Sequence, residues 1–389
     1  MKELTRTTEI YLDNGATTKI DPKVIKAMEP YYTEKYGNAS AIHSFGLDAQ
    51  EALEKSRKVI ADSLGAKHEE IYFTSGGTES NNWALKGIAF ANKDKGNHII
   101  TTKIEHDCVL NSCKWLETQG FTVTYLSVDK EGFVNPKELE KAITNKTILV
   151  SIIHANNEIG TLQDLKLLYD VCKKHKVYFH TDACQSYTKT TLSAKDADLI
   201  TLNSHKIHGP KGVGALYIKA GTRIIPWQHG GGHENKMRSG THNVHGIVGF
   251  AEAVKVALGD KESLTRMQKL RDKLIRETMR IPESRLNGSI GEKRLCNNVN
   301  ISFLRIEGES LTGYLNENGI SASTGSACSS RSLEASHVLM AIGLTHEWAH
   351  GSLRLTLSKY TTEQEIDYAL EALPKIVDKL RKISPLGRK

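Results

Sequence analysis

The sequence predicts an α/β fold: a mainly parallel, seven-stranded sheet in a large domain, with a smaller α+β domain beside it. Seven short runs rich in β-branched and aromatic residues recur between residues 71 and 218, and helical stretches separate them. Past about residue 255 that alternation gives way to a charged helical pattern and isolated strand-like runs.

The runs are IYFT (71–74), HIIT (98–101), VTYLSV (123–128), TILVSII (147–153), VYFHT (177–181), DLITLN (198–203) and GALYI (214–218). Between such runs lie amphipathic segments; in residues 47–65, Ala49, Leu53, Ile60 and Leu64 fall on roughly one face. Strands joined through helices imply βαβ crossovers and a mainly parallel sheet. The later pattern ESLTRMQKLRDKLIRETMR, strands near 299–304 and 352–357, and a last helix at 362–382 form the second unit. The expected division is 15–255 for the large domain and 1–14 with 256–389 for the small one.

Composition narrows the class. Lys and Arg number 52 against 45 Asp and Glu, and the excess is spread along the chain apart from the tail KLRKISPLGRK, so a nucleic-acid platform is not indicated. No run approaches the ~18 apolar residues of a membrane span, and the N-terminus lacks the apolar core of a signal peptide. A cytoplasmic location is the expectation. Six cysteines without a secretion signal read as reduced thiols rather than a disulfide framework.

In an open parallel sheet ligands sit beyond the carboxyl ends of the strands. Three such ends carry chemistry. IYFT runs into SGGTESNN (75–82), a glycine turn opening a helix, whose N–H groups and Thr78 hydroxyl suit a phosphate. VYFHT is followed by Asp182 in TDACQS (181–186), where a carboxylate can hold a pyridine nitrogen protonated. DLITLN is followed by NSHKIHGPKG (203–212), with Lys206 on a tight turn placed for a Schiff base. Alone, each has a plainer reading: a capped helix, a turn aspartate, a surface lysine. Together, cradle, aspartate and lysine stand in the order in which pyridoxal-5'-phosphate (PLP) enzymes of fold type I present their sites.

The chain resembles the NifS/IscS-type cysteine desulfurases of the class-V aminotransferase group from YLDNGATT (11–18) to SLRLTLSKYTTEQEID (352–367). The matching segments include YGNASAIHSFG (36–46), EHDCV (105–109), HANNEIGTLQD (154–164), GGGHENKMRSGTHN (230–243) and STGSACSSRSLEASHVL (323–339). The resemblance implies PLP bound to Lys206, with Asp182 at the pyridine nitrogen and His106 stacked on the ring and active in acid/base steps. It implies Asn157 and Gln185 near the ring hydroxyl, and Gly77, Thr78, Ser204 and His205 at the phosphate. Thr241 would come from the second subunit of a homodimer. Arg354 and Asn38 would bind the substrate, L-cysteine, the arginine through its carboxylate. Two departures stand out: GNASA replaces the family's usual GNPSS or GNPAS around Asn38, and TLSK (356–359) replaces SLGR, putting Ser358 where a glycine is usual.

Cofactor residues alone do not name the reaction, because transaminases and lyases share them. Cys328 does, lying in STGSACSSRS, a run of small polar residues expected to form an accessible loop. A thiol there can accept sulfur and pass it on. Cys172, Cys108, Cys113 and Cys296 read instead as packed thiols, as does Cys184 despite its place beside Asp182. The histidines lack the paired spacings of a metal site, so no resident metal is expected. The resemblance allows Cys328 to touch a transient iron–sulfur cluster on a scaffold partner, and implies sulfur supply for cluster assembly and for tRNA thiolation. A selenocysteine lyase, a small-amino-acid aminotransferase and a non-catalytic sulfur-relay scaffold are the competing readings.

Overall fold

The computed structural model describes residues 9–324 and 335–383. Strand β1 (Ile10–Tyr11) is short; β2 (Ile71–Thr74), β3 (His98–Thr102), β4 (Thr122–Leu126), β5 (Thr147–Ser151), β6 (Tyr178–Asp182), β7 (Leu199–Asn203) and β8 (Gly214–Ile218) form one sheet in the order β2-β8-β7-β6-β5-β3-β4. Only β8 runs against its neighbours; the remaining pairings are parallel. The seven sequence-predicted strands are therefore these seven, though β7 and β8 are joined by a loop rather than a helix and pair antiparallel.

Side chains alternate across a pleated strand. Ile100, Val150, Phe179 and Ile200 enter one buried cluster, while their neighbours Ile99, Leu149 and Leu199 enter another on the opposite face. Helices cover both faces, which explains why β3, β5, β7 and β8 are buried at every position. Edge strand β4 is the counterexample, with Thr122 exposed.

A third cluster is built from Leu12, Leu274, Phe303, Leu311, Leu355 and Leu373 together with β9 (Ser284–Leu286), β10 (Asn298–Phe303), β11 (Ile320–Ser321) and β12 (Ser352–Thr356). The strands β9, β10 and β12 pair antiparallel, and β1 pairs in parallel with β11. The chain's first described residues thus pack with its last third. Among the described residues no helix is long and apolar enough to cross a membrane.

Strand order places the site. From β3 the chain steps out to β4, then returns to β5 on the other side of β3, so the crossovers diverge between β3 and β5. A crevice opens beyond the strand ends at such a switch point. The segments leaving β2, β3, β5, β6 and β7 all reach it.

Candidate active site

A cavity of about 410 Å³ lies at that edge. Its wall includes Lys206, Asp182, His106, Asn157, Gln185 and Arg354. These residues come from five strand ends or strands, and none is next to another in sequence. Gly77, Thr78 and His205 also line it.

The glycines are dictated by close approach. Gly76 has φ +153 and precedes the helix Gly77–Ala91; a Cβ on Gly214 would lie 2.7 Å from its Cα. A Cβ on Gly77 would fall 2.5 Å from Cys184 Sγ. The helix N-terminus is thus bare backbone facing the cavity, an arrangement suited to an anion.

Asp182 is held from two sides: its Oδ1 accepts from the Cys184 backbone N–H at 2.9 Å and its Oδ2 from Asn81 Nδ2 at 2.7 Å. His106 caps the helix Asp107–Thr118, and its Nδ1 accepts from the Cys108 N–H at 3.2 Å. Burial, followed by the charge of Lys206, lowers the His106 pKa, so the ring is neutral at neutral pH. Burial and Lys206 likewise push His205 down to about 4. Gln185 is anchored by donating to the Gly15 carbonyl at 2.9 Å.

Arg354, on β12, is buried and donates to Asp13 Oδ1 at 2.9 Å and to the Asn157 carbonyl at 3.2 Å. Its Nε has no partner among the described residues. The same holds for the side-chain oxygens of Asn157 and Asn203, both buried in the cavity wall. Orphaned buried polar atoms carry a desolvation cost and call for a ligand. The cavity therefore asks for a polar occupant with acceptor and donor groups. PLP, with phosphate, hydroxyl and ring nitrogen, meets that description.

Two further acids line or flank the site. Glu158 lines it, and burial pushes its carboxyl up to about 8; Ser336 donates to it at 2.5 Å. Glu105, just before His106, is also raised by burial to about 8. His337 lines the cavity, its Nε2 donating to the Glu105 carbonyl at 2.9 Å.

A model of the family described as aminotransferase class-V matches residues 10–369. A protein named cysteine desulfurase IscS from Methanosarcina thermophila is 54% identical over 383 residues, spanning 98% of this chain and 95% of that one. This chain belongs to the cysteine desulfurases of the class-V aminotransferase family. A second relative of the same name, from Dictyoglomus turgidum, is 51% identical over 97% of this chain and 96% of its own. Among solved structures, one titled NifS-like protein superposes with TM-score 0.91 at 40% identity, covering 96% of this chain and all of its own. Another, titled SspA in complex with cysteine, gives 0.81 at 37% over 91% of this chain and all of its own.

Within this desulfurase the expected site residues divide. Nine of them line the cavity. Ser204 is fully buried at the end of β7 without lining it. Asn38 is exposed, its Oδ1 accepting from the Ser40 N–H, and Thr241 is exposed too; neither lines the cavity. Cys328 lies outside the described residues. Cys108, read from sequence as a packed thiol, is packed against Asn81 and His106 and is also part of the cavity wall, because the helix capped by His106 turns it inward. Asp13, Asn81, Glu158 and His337 gave no sequence signal. The Ser358 departure is harmless to the backbone: Ser358 is not among the residues with positive φ, and its Oγ accepts from the Tyr360 N–H at 3.2 Å.

Proposed function

We propose that the chain removes sulfur from L-cysteine with PLP, leaving L-alanine and a persulfide on Cys328. The observation that carries it is a single cavity walled by an amine, a carboxylate, an imidazole and a guanidinium. When bound, PLP supplies a conjugated ring that takes up electrons from bonds broken at the substrate. Lys206 is the amine for its covalent attachment. Asp182, oriented by Asn81 and the Cys184 N–H, keeps the ring nitrogen protonated. Gly77, Thr78, Ser204 and His205 are assigned to the phosphate, and Asn157 and Gln185 to the ring hydroxyl side. His106 presents a proton at Nε2, and Arg354 binds the substrate carboxylate.

The working unit is proposed to be a homodimer in the cytoplasm. Thr241 is exposed in its own protomer, and Tyr32, Tyr36, Ile42, Phe45 and Leu47 are exposed apolar residues clustered within one segment. Such a patch suits coverage by a second copy, with Thr241 and the Asn38 loop reaching the neighbour's site. Sulfur would then pass to an acceptor protein for iron–sulfur cluster assembly or tRNA thiolation.

Purified protein incubated with L-cysteine and a reductant should yield alanine and sulfide in equal amounts without any 2-oxo acid. Alanine formation that requires a 2-oxo acid would replace this reading with transamination.

A further inference from the structure

Asn81 is fully buried on the helix Gly77–Ala91, between two residues of the site. Its Nδ2 donates to Asp182 Oδ2 at 2.7 Å and to Cys108 Sγ at 3.1 Å. An amide nitrogen carries two hydrogens, so both bonds form at once. Cys108 Sγ in turn lies 3.1 Å from His106 Nδ1.

The direction of the last link follows from its surroundings. His106 Nδ1 already receives the Cys108 backbone N–H, so it is the unprotonated nitrogen and the hydrogen of the neutral ring sits on Nε2. The sulfur, which accepts from Asn81 and has the Thr78 hydroxyl as a further neighbour, lies at donor distance from Nδ1, whose lone pair can take its hydrogen. Burial, followed by the charge of Asp182, pushes the Cys108 thiol up to about 12, which keeps that hydrogen in place. The backbone N–H at 3.2 Å and the thiol at 3.1 Å thus address the same lone pair of Nδ1, the thiol being a second donor that holds the tautomer the backbone favours.

We propose that Asn81 and Cys108 are positioning residues: a hydrogen-bond relay from Asp182 to His106 that locks the imidazole as the Nε2–H tautomer facing the cavity. The relay ties the carboxylate assigned to the ring nitrogen to the imidazole assigned to proton transfer. Its catalytic meaning rests on the desulfurase reading above, whereas the tautomer is a property of the resting protein.

The test uses PLP-loaded protein labelled with ¹⁵N-histidine, the His106 signals being assigned by their absence in His106→Gln. Wild type should show an unprotonated Nδ1 and a protonated Nε2. Cys108→Ala should give mixed tautomers and a kcat lower by about tenfold, the loss of one hydrogen bond, with KM within about twofold. Cys108→Ser, which restores a donor, should return both the tautomer and the rate. Asn81→Ala should resemble Cys108→Ala; should it fail to fold, the two Cys108 variants carry the test. A pure Nε2–H tautomer in Cys108→Ala, or a Cys108→Ser that behaves like it, overturns the relay. Intact tautomer behaviour in protein that yields no alanine from cysteine would instead count against the desulfurase reading alone.

Discussion

Arg354 Nη2 donates to Asp13 Oδ1 at 2.9 Å, which joins β12 to the segment after β1 at the rim of the cavity. With Nη1 on the Asn157 carbonyl, the guanidinium plane is fixed and its unpaired Nε edge remains for a ligand. A fixed fork binds a carboxylate through two parallel bonds, which a lysine cannot reproduce. Arg354→Lys should raise KM for cysteine by about tenfold or more while kcat changes less. Asp13→Asn should raise KM by a few-fold, since it loosens the plane without removing the charge. Steady-state kinetics of both variants check this, and an unchanged KM in Arg354→Lys would remove the arginine from substrate binding.

The buried acids and histidines set opposite pH slopes. Burial lowers His154, His180, His205 and His208 to about 4 and raises Glu105 and Glu158 to about 8. Below their ordinary value near 6.5, the histidines of the unfolded chain bind protons that the folded chain refuses, so they remove stability as pH falls toward 4. Between 4.5 and 8 the folded chain keeps two carboxyl protons that the unfolded chain has lost, so these groups remove stability as pH rises toward 8. Where the windows overlap, four histidines outweigh two carboxyls. The Tm of the cofactor-free protein should therefore peak near pH 6.5 and fall on both sides with comparable slopes, as calorimetry across pH 4.5–8.5 would register.

Glu234 is held in a left-handed backbone conformation, φ +47, at the start of the segment that leads to Thr241. Arg57 grips its carboxylate through two bonds of 2.8 Å, while the Phe73 N–H and His242 Nε2 donate to it as well, also at 2.8 Å. Both charged groups are buried. Glu234→Gln leaves Arg57 with the more exposed and more distant Glu54 as its carboxylate partner, at 3.3 Å, and should cost about 3 kcal/mol of unfolding free energy, measured by denaturant titration. A cost near zero would mean the pair is solvated in the folded protein.

How much of this was written in the sequence depended on whether the signal was local. IYFT and GALYI coincide with β2 and β8 because strand alternation and flanking glycines are contained within a few residues. Lys206, Asp182 and the glycine cradle were legible for the same reason: each sits at the end of its own strand. Asp182 itself pairs with Thr201 and so ends β6 rather than following it. Asn81 and Asp13 were silent because their roles exist only across gaps of 101 and 341 residues. Cys108 is packed, as its sequence reading has it, but its place in the cavity wall was not legible, because thiol burial statistics ignore which way a helix cap turns its first residues. The Glu158 contact with Ser336 spans 178 residues and leaves no periodic trace.

The final prediction concerns the nucleophile. Sulfur transfer needs a thiolate, and a free cysteine with pKa near 8.5 is roughly 7% ionised at pH 7.4. The five described cysteines fall far short of that. Burial pushes Cys108 and Cys113 up to about 12 and raises Cys172, Cys184 and Cys296 as well. Cys184, though in the cavity wall, is packed beneath Gly77 and fully enclosed; Cys108 is committed to Asn81 and His106. Cys328, the sixth cysteine and the proposed nucleophile, lies outside the described residues. Cys328→Ser should still bind cysteine, seen as a change in cofactor absorbance, yet form no protein-bound persulfide. Alanine release should drop by about a hundredfold or more, because the remaining thiols supply almost no thiolate at neutral pH. Mass spectrometry of the variant after incubation with cysteine gives the first readout and alanine quantitation the second. Alanine released at close to the wild-type rate would show that sulfur leaves without this thiol, and the lyase or aminotransferase reading would then account for the site.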